Sequence, residues 1–186
     1  MGTDGTSGRA TSSGTDGEAG RPYAVLDIDG VLADVRHRLH HLESRPKDWD
    51  AFFAAAPADG LLAEGAAVAA TLAADHKIVY LSGRPASCRA DTLAWLRAHG
   101  LPPGRVVLRS MRDRRPARAV KVERLRELAR TAPVRMVVDD DEAVVDAVRA
   151  AGFPVLHATW MTAPAPASGR AAQQTLFDAQ EHEGRT

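Results

Sequence analysis

The chain has 186 residues, 45% of them apolar and 26% charged, with 24 basic residues against 24 acidic ones. That is the composition of an ordinary globular protein, and it excludes a disordered or collagen-like chain. One cysteine, Cys88, excludes an internal disulfide, no apolar run approaches the roughly 18–20 residues of a membrane span, and a soluble cytoplasmic protein is expected.

Met1 to Gly20 is rich in Gly, Ser, Thr and Asp. Ordering it would cost backbone entropy without burying apolar surface, so a disordered tail is expected over residues 1–20. From Arg21 short apolar runs alternate with helical patterns, the signature of repeated βα units around a parallel sheet. The expected strands are Tyr23–Asp29, Lys77–Leu81, Arg105–Arg109, Val134–Asp139 and Pro154–His157. Helices are expected over Leu61–Asp75, Ala86–His99 with Gly100 as its cap, Ala117–Arg130, and Glu142–Ala151 with Gly152 closing it. One domain over residues 21–161 would be followed, over 162–186, by an Ala/Pro linker and a C-terminal peptide.

Asp27 and Asp29 close the first expected strand, and strand alternation puts both on one face with Ile28 on the other. In an open parallel sheet the functional crevice lies beyond the carboxyl ends of the strands. Asp139-Asp140-Asp141 ends the fourth strand at the same edge, and carboxylates gathered there would repel one another without a cation. Hard oxygen ligands with no patterned His or Cys favour Mg²⁺. Alone, Asp-x-Asp-Gly is also an ordinary turn with solvated caps. At the end of the second strand, however, Ser82-Gly83-Arg84 offers a hydroxyl and a guanidinium at a helix start, a combination suited to phosphate oxygens. Lys121 adds a further cation, and Asp141 reads as the N-cap of the helix after it.

Leu26-Asp-Ile-Asp-Gly-Val-Leu-Ala-Asp34, Leu81-Ser-Gly-Arg84, Lys121 and Val138-Asp-Asp140 resemble, in order, the four motifs of the haloacid dehalogenase superfamily of phosphohydrolases. The resemblance implies a Rossmann-like, doubly wound α/β fold with Asp27 as nucleophile, forming an aspartyl phosphate, and Asp29 as general acid and then general base. It also implies Ser82 and Lys121 as phosphate ligands, with Asp139 and Asp140 joining Asp27 and the Asp29 main-chain carbonyl around Mg²⁺. An acid two residues after the nucleophile argues, by the same resemblance, for a phosphatase rather than a dehalogenase. Neither gap between motifs is large, so a capless or minimally capped site is expected, open to a large substrate.

Within the superfamily the chain looks most like the phosphatase half of polynucleotide kinase-phosphatase. Ser82-Gly83-Arg84, the pair Asp139-Asp140 and Arg38, eleven residues after the nucleophile, carry that likeness. It implies substrate binding by Arg38, Gly83 and Arg84, and a nucleic-acid 3′-phosphate as substrate. Small phosphate esters such as nucleotides, or a non-catalytic binding domain, are the rivals. Pro46 to Phe53 has no counterpart in that family, and no Gly-x-x-x-x-Gly-Lys-Ser loop is present.

Ten basic and three acidic residues fall between Arg105 and Arg130, a stretch able to follow a phosphate backbone or simply to be solvated. Trp49, Phe52 and Phe53 are spaced as core anchors or as a base-stacking surface. His37, His40 and His41 read as loop residues, and Cys88 sits where a helix N-terminus would lower its pKa. Lastly, Gln173-Gln-Thr-Leu176-Phe177 resembles the Gln-x-x-Leu-Phe peptides that bind the bacterial sliding clamp, the alternative being an amphipathic turn packed on the domain.

Overall fold

The computed structural model describes residues 20–43 and 45–162. The expected N-terminal tail and the Gln173–Phe177 peptide lie outside the described residues. Five parallel strands form one sheet: β1 (Tyr23–Leu26), β4 (Lys77–Pro85), β5 (Gly104–Arg109), β6 (Val134–Asp139) and β7 (Val155–His157). Their order is β5-β4-β1-β6-β7, which puts β1 at the centre with β4 and β6 as its neighbours. A strand flanked on both sides and covered on both faces reads as a continuous apolar run, and Ala24, Val25 and Leu26 are all buried.

Helices cover both faces. Helix α2 (Ala63–Ala73) and α3 (Arg89–Ala98) place Ala69, Trp95 and Leu96 against Ala24, Leu26 and Ile78. On the other face α4 (Ala117–Ala129) and α5 (Glu142–Ala150) bring Leu125, Leu128, Val144 and Val148 onto Val25, Val79 and Val137. This is the expected doubly wound α/β architecture. Asp141 caps α5 as anticipated, accepting from the backbone N–H groups of Ala143 and Val144 at 2.9 and 3.4 Å. Gly100 and Gly152, with φ of 65° and 84°, end helical stretches in the left-handed region.

Several expectations are corrected. The first strand stops at Leu26 rather than Asp29, because the chain folds back at once: Leu32 and Ala33 both donate to the Ile28 carbonyl. The second strand runs on to Pro85 and so contains Ser82, Gly83 and Arg84. The helix expected from Leu61 starts at Ala63, since Gly60–Leu61 forms β3, antiparallel to β2 (Ala33–Asp34). Ala86–Cys88 is a 3-10 turn ahead of α3.

Between β2 and β3 lies a small helical insertion: a 3-10 helix (Arg36–Leu42), helix α1 (Trp49–Ala54) and a 3-10 turn (Ala56–Ala58). The stretch expected as a histidine loop is that first helix. Val35, Leu39, Leu42, Trp49 and Phe52 give the insertion its own apolar cluster, which closes against Leu62 and Met161. It is the minimal cap, built over the carboxyl end of β1. Among the described residues no helix is long and apolar enough to cross a membrane.

Candidate active site

The chain beyond β1 gives the first two carboxylates different partners. Asp27 stays in register with the sheet, its N–H donating to the Val138 carbonyl at 2.9 Å and its Oδ1 accepting from Ile28 N at 2.7 Å. Its other oxygen, Oδ2, accepts from Lys121 Nζ at 2.6 Å, and the same ammonium reaches Asp139 Oδ2 at 2.7 Å. Lys121 is buried and held by two carboxylates, so although burial alone would lower it, Asp139 and Asp27 keep its ammonium charged.

Asp140 completes the cluster. Asp27, Asp139 and Asp140 each place a carboxylate oxygen within 4.8 Å of the others. Asp140 Oδ2 is buried without a hydrogen-bond partner. Burial, with Asp139 and Asp27 adding repulsion, raises the Asp140 carboxyl well above its usual range, and burial pushes Asp27 up to about 7 despite Lys121. Buried like charges with an orphaned oxygen are a ligand set for a hard cation. The approach is close enough to dictate sequence. Gly30 has φ of 77°, and a Cβ on it would lie 1.9 Å from Asp140 Oδ2, so no other residue fits beside that carboxylate.

Asp29 has partners of its own. Arg84 Nη2 and Arg38 Nη2 each donate to Asp29 Oδ1 at 2.6 Å, and Arg84 Nε adds a bond to Oδ2 at 3.1 Å. Burial opposes ionisation of Asp29, but the guanidiniums of Arg84 and Arg38 overcome it and hold the carboxyl far below the usual carboxylate range. Both arginines are buried, at 0% and 1% exposure. They are themselves bridged by a residue that sequence reasoning missed. Asp59 accepts from Arg38 Nε at 2.7 Å, from Arg38 Nη2 at 2.8 Å and from Arg84 Nη2 at 2.8 Å. His37 Nε2 lies 2.8 Å from Asp59 Oδ1 and leads the network to the surface. The signal for Asp59 was faint, an acid in Ala-Pro-Ala-Asp-Gly60 that reads as an ordinary turn.

Of the residues expected to bind phosphate, Ser82 is buried with its Oγ accepting from Arg84 N at 3.1 Å. Ser82 and Gly83 line the same small pocket as Lys121. Arg38 and Arg84 are brought to the site, where their bonds go to Asp29 and Asp59. Cys88 departs from expectation: burial pushes its thiol up, outweighing the charge of Arg84.

Residues 22–159 match the family of the polynucleotide kinase PNKP phosphatase domain. The chain belongs to this family. It is therefore a phosphatase of the haloacid dehalogenase superfamily. No curated protein matches it. Among solved structures, a chain of a Pnkp1/Rnl/Hen1 RNA repair complex is similar at 24% identity and a TM-score of 0.60, with 74% of this chain and 42% of that one covered. A haloacid dehalogenase-like hydrolase from Streptococcus pneumoniae shares the fold at 15% identity and a TM-score of 0.54, covering 87% and 91%. An L-2-haloacid dehalogenase does so at 14% and 0.53, covering 80% and 89%. The chain spans less than half the length of the repair-complex chains it matches.

Proposed function

We propose that the protein hydrolyses 3′-phosphates at nucleic-acid ends through an aspartyl-phosphate intermediate, with Mg²⁺ bound by Asp27, Asp139, Asp140 and the Asp29 main-chain carbonyl. The observation that carries this reading is the Asp27–Lys121–Asp139 bridge beside the unpartnered Asp140 oxygen. Three buried carboxylates against one ammonium leave negative charge uncompensated, and the donors are all oxygen, so the residues fit a hard divalent cation. Bound there, it supplies positive charge that offsets repulsion between an anionic nucleophile and an anionic ester.

The chain's own residues do the rest. An Asp27 oxygen forms the bond to phosphorus as the 3′-oxygen leaves, and water then cleaves the mixed anhydride to free phosphate and regenerate Asp27. Lys121 fixes the nucleophile's geometry and, with the Ser82 hydroxyl, offers donors to phosphoryl oxygens. Asp29 manages protons. Held ionised by Arg38 and Arg84, it is ready to take a proton from the attacking water. The charge of an incoming phosphate dianion lifts the Asp29 carboxyl, so that it takes up a proton from solvent and delivers it to the leaving alkoxide. The family description and the likeness to an RNA repair complex support a polynucleotide end as substrate.

The test is phosphate release from 3′-phosphorylated oligonucleotides, 5′-phosphorylated oligonucleotides and nucleoside monophosphates, with and without chelator. Turnover is expected on the 3′ ends, lost on chelation, regained with Mg²⁺, and lowered more than about 10³-fold in Asp27→Asn. Substantial turnover by Asp27→Asn would sink the covalent mechanism, and a preference for mononucleotides would sink the substrate.

A further inference from the structure

Asp139, Asp140 and Asp141 leave β6 with three different duties: Asp139 bonds Lys121, Asp140 joins the acidic cluster, and Asp141 caps α5. Three consecutive side chains serve three partners only if the backbone between them is held. Part of that hold comes from β7, the edge strand beside β6, whose His157 stands in register with Asp139. Ala158 N donates to the Asp139 carbonyl at 2.8 Å. One residue on, His157 Nε2 lies 3.1 Å from the Asp140 carbonyl. A carbonyl only accepts, so Nε2 carries the proton and donates.

That bond matters because of the company Asp140 keeps. Its carboxylate is buried within reach of Asp27 and Asp139, and its Oδ2 has no hydrogen-bond partner. Two like charges push the carboxylate away, and no hydrogen bond on that oxygen opposes them. Restraint through the main chain does, and a ring donating to the Asp140 carbonyl supplies it. The strand's own pattern marks the position as well. Alternation puts His157 on the face of Val155, which packs on the apolar cluster of α4 and α5, and Leu156 on the other. A polar ring thus ends an apolar row at the level of the acids.

We propose that His157 is a positioning residue for the divalent cation: by donating from Nε2 to the Asp140 carbonyl it holds Asp140 against the repulsion of Asp27 and Asp139, and so sets how tightly the three carboxylates bind the ion. It acts through Asp140 and not on the cation itself. The proposal rests on the reading that Asp27, Asp139 and Asp140 hold that cation. Partners that orient a metal ligand from behind change affinity by about 10–100-fold when they are removed.

The experiment is Mg²⁺ titration of the full chain at pH 8, read by calorimetry and by the rise in melting temperature, for the wild type, His157→Leu and His157→Gln. Leucine fills the half-buried place without a donor, whereas the glutamine amide can donate to the same carbonyl. His157→Leu is expected to weaken Mg²⁺ binding by about 10–100-fold, with His157→Gln close to the wild type. In phosphatase assays of His157→Leu, the Mg²⁺ concentration for half-maximal rate rises by more than kcat at saturating Mg²⁺ falls. A merely structural role would instead lower the melting temperature without Mg²⁺ and leave Mg²⁺ affinity unchanged, and that result overturns the proposal. Equal Mg²⁺ binding by the Leu and Gln variants overturns it too, since the ring's donor would then not be the cause. If the wild type itself binds no Mg²⁺, the cation reading fails.

Discussion

Asp29 and Asp59 show how two acids of the same type acquire different duties from their surroundings. Asp29 is the carboxylate proposed to move protons, while Asp59, fully enclosed, balances the two arginines that hold it. Four groups, two carboxylates and two guanidiniums, neutralise one another away from water, an arrangement stable only while every member is present. Replacing Asp59 by Asn leaves two buried cations facing a single anion. The expected cost is about 3–5 kcal/mol of unfolding free energy, read from urea denaturation, with impaired phosphatase activity in whatever folds. A denaturation midpoint equal to that of the wild type would show that Asp59 does not carry the network. Arg84 was legible as a site residue because arginine next to Ser-Gly suggests phosphate, and Arg38 because its place eleven residues after Asp27 resembles the family. Their partnership with Asp59 was not, because a contact across 21 or 25 residues leaves no trace in local pattern.

The central strands and the outer helices were readable from sequence because their apolar periods are long and their caps explicit. Asp141 is the clearest case. Asp141→Ala removes an acceptor from two backbone N–H groups and should destabilise the protein by about 0.5–2 kcal/mol. Thermal melting checks this, and no loss would mean that water replaces the cap. What sequence could not give was the two-residue strands β2 and β3, each too short to show alternation. The 3-10 helix at Arg36–Leu42 was likewise hidden, since three histidines and two arginines in seven residues look like a solvated loop. Trp49 and Phe52 proved to be core anchors, as their spacing allowed, and Phe53 packs against their cluster from its edge.

At the scale of the molecule, the acidic centre is a store of unfavourable charge. Burial raises Asp140 well above the usual range and Asp27 to about 7, against 3.8 for an unperturbed Asp. With folded values raised, these groups hold more protons folded than unfolded. Their contribution to stability is present in acid and is lost as pH climbs from about 4 through 7. A divalent cation competes with those protons, so its stabilisation should grow over the same interval. The expected result is a shift in melting temperature on adding Mg²⁺ that is larger at pH 8 than at pH 5. A shift independent of pH would place cation binding elsewhere. Finally, Arg38 and Asp59 sit near opposite ends of the insertion between β2 and β3, so one segment supplies two of the groups that tie down Asp29. Exchanging this segment as a unit would remove Arg38 and Asp59 together and leave Asp29 with Arg84 alone, so the insertion cannot be swapped without disturbing that carboxylate.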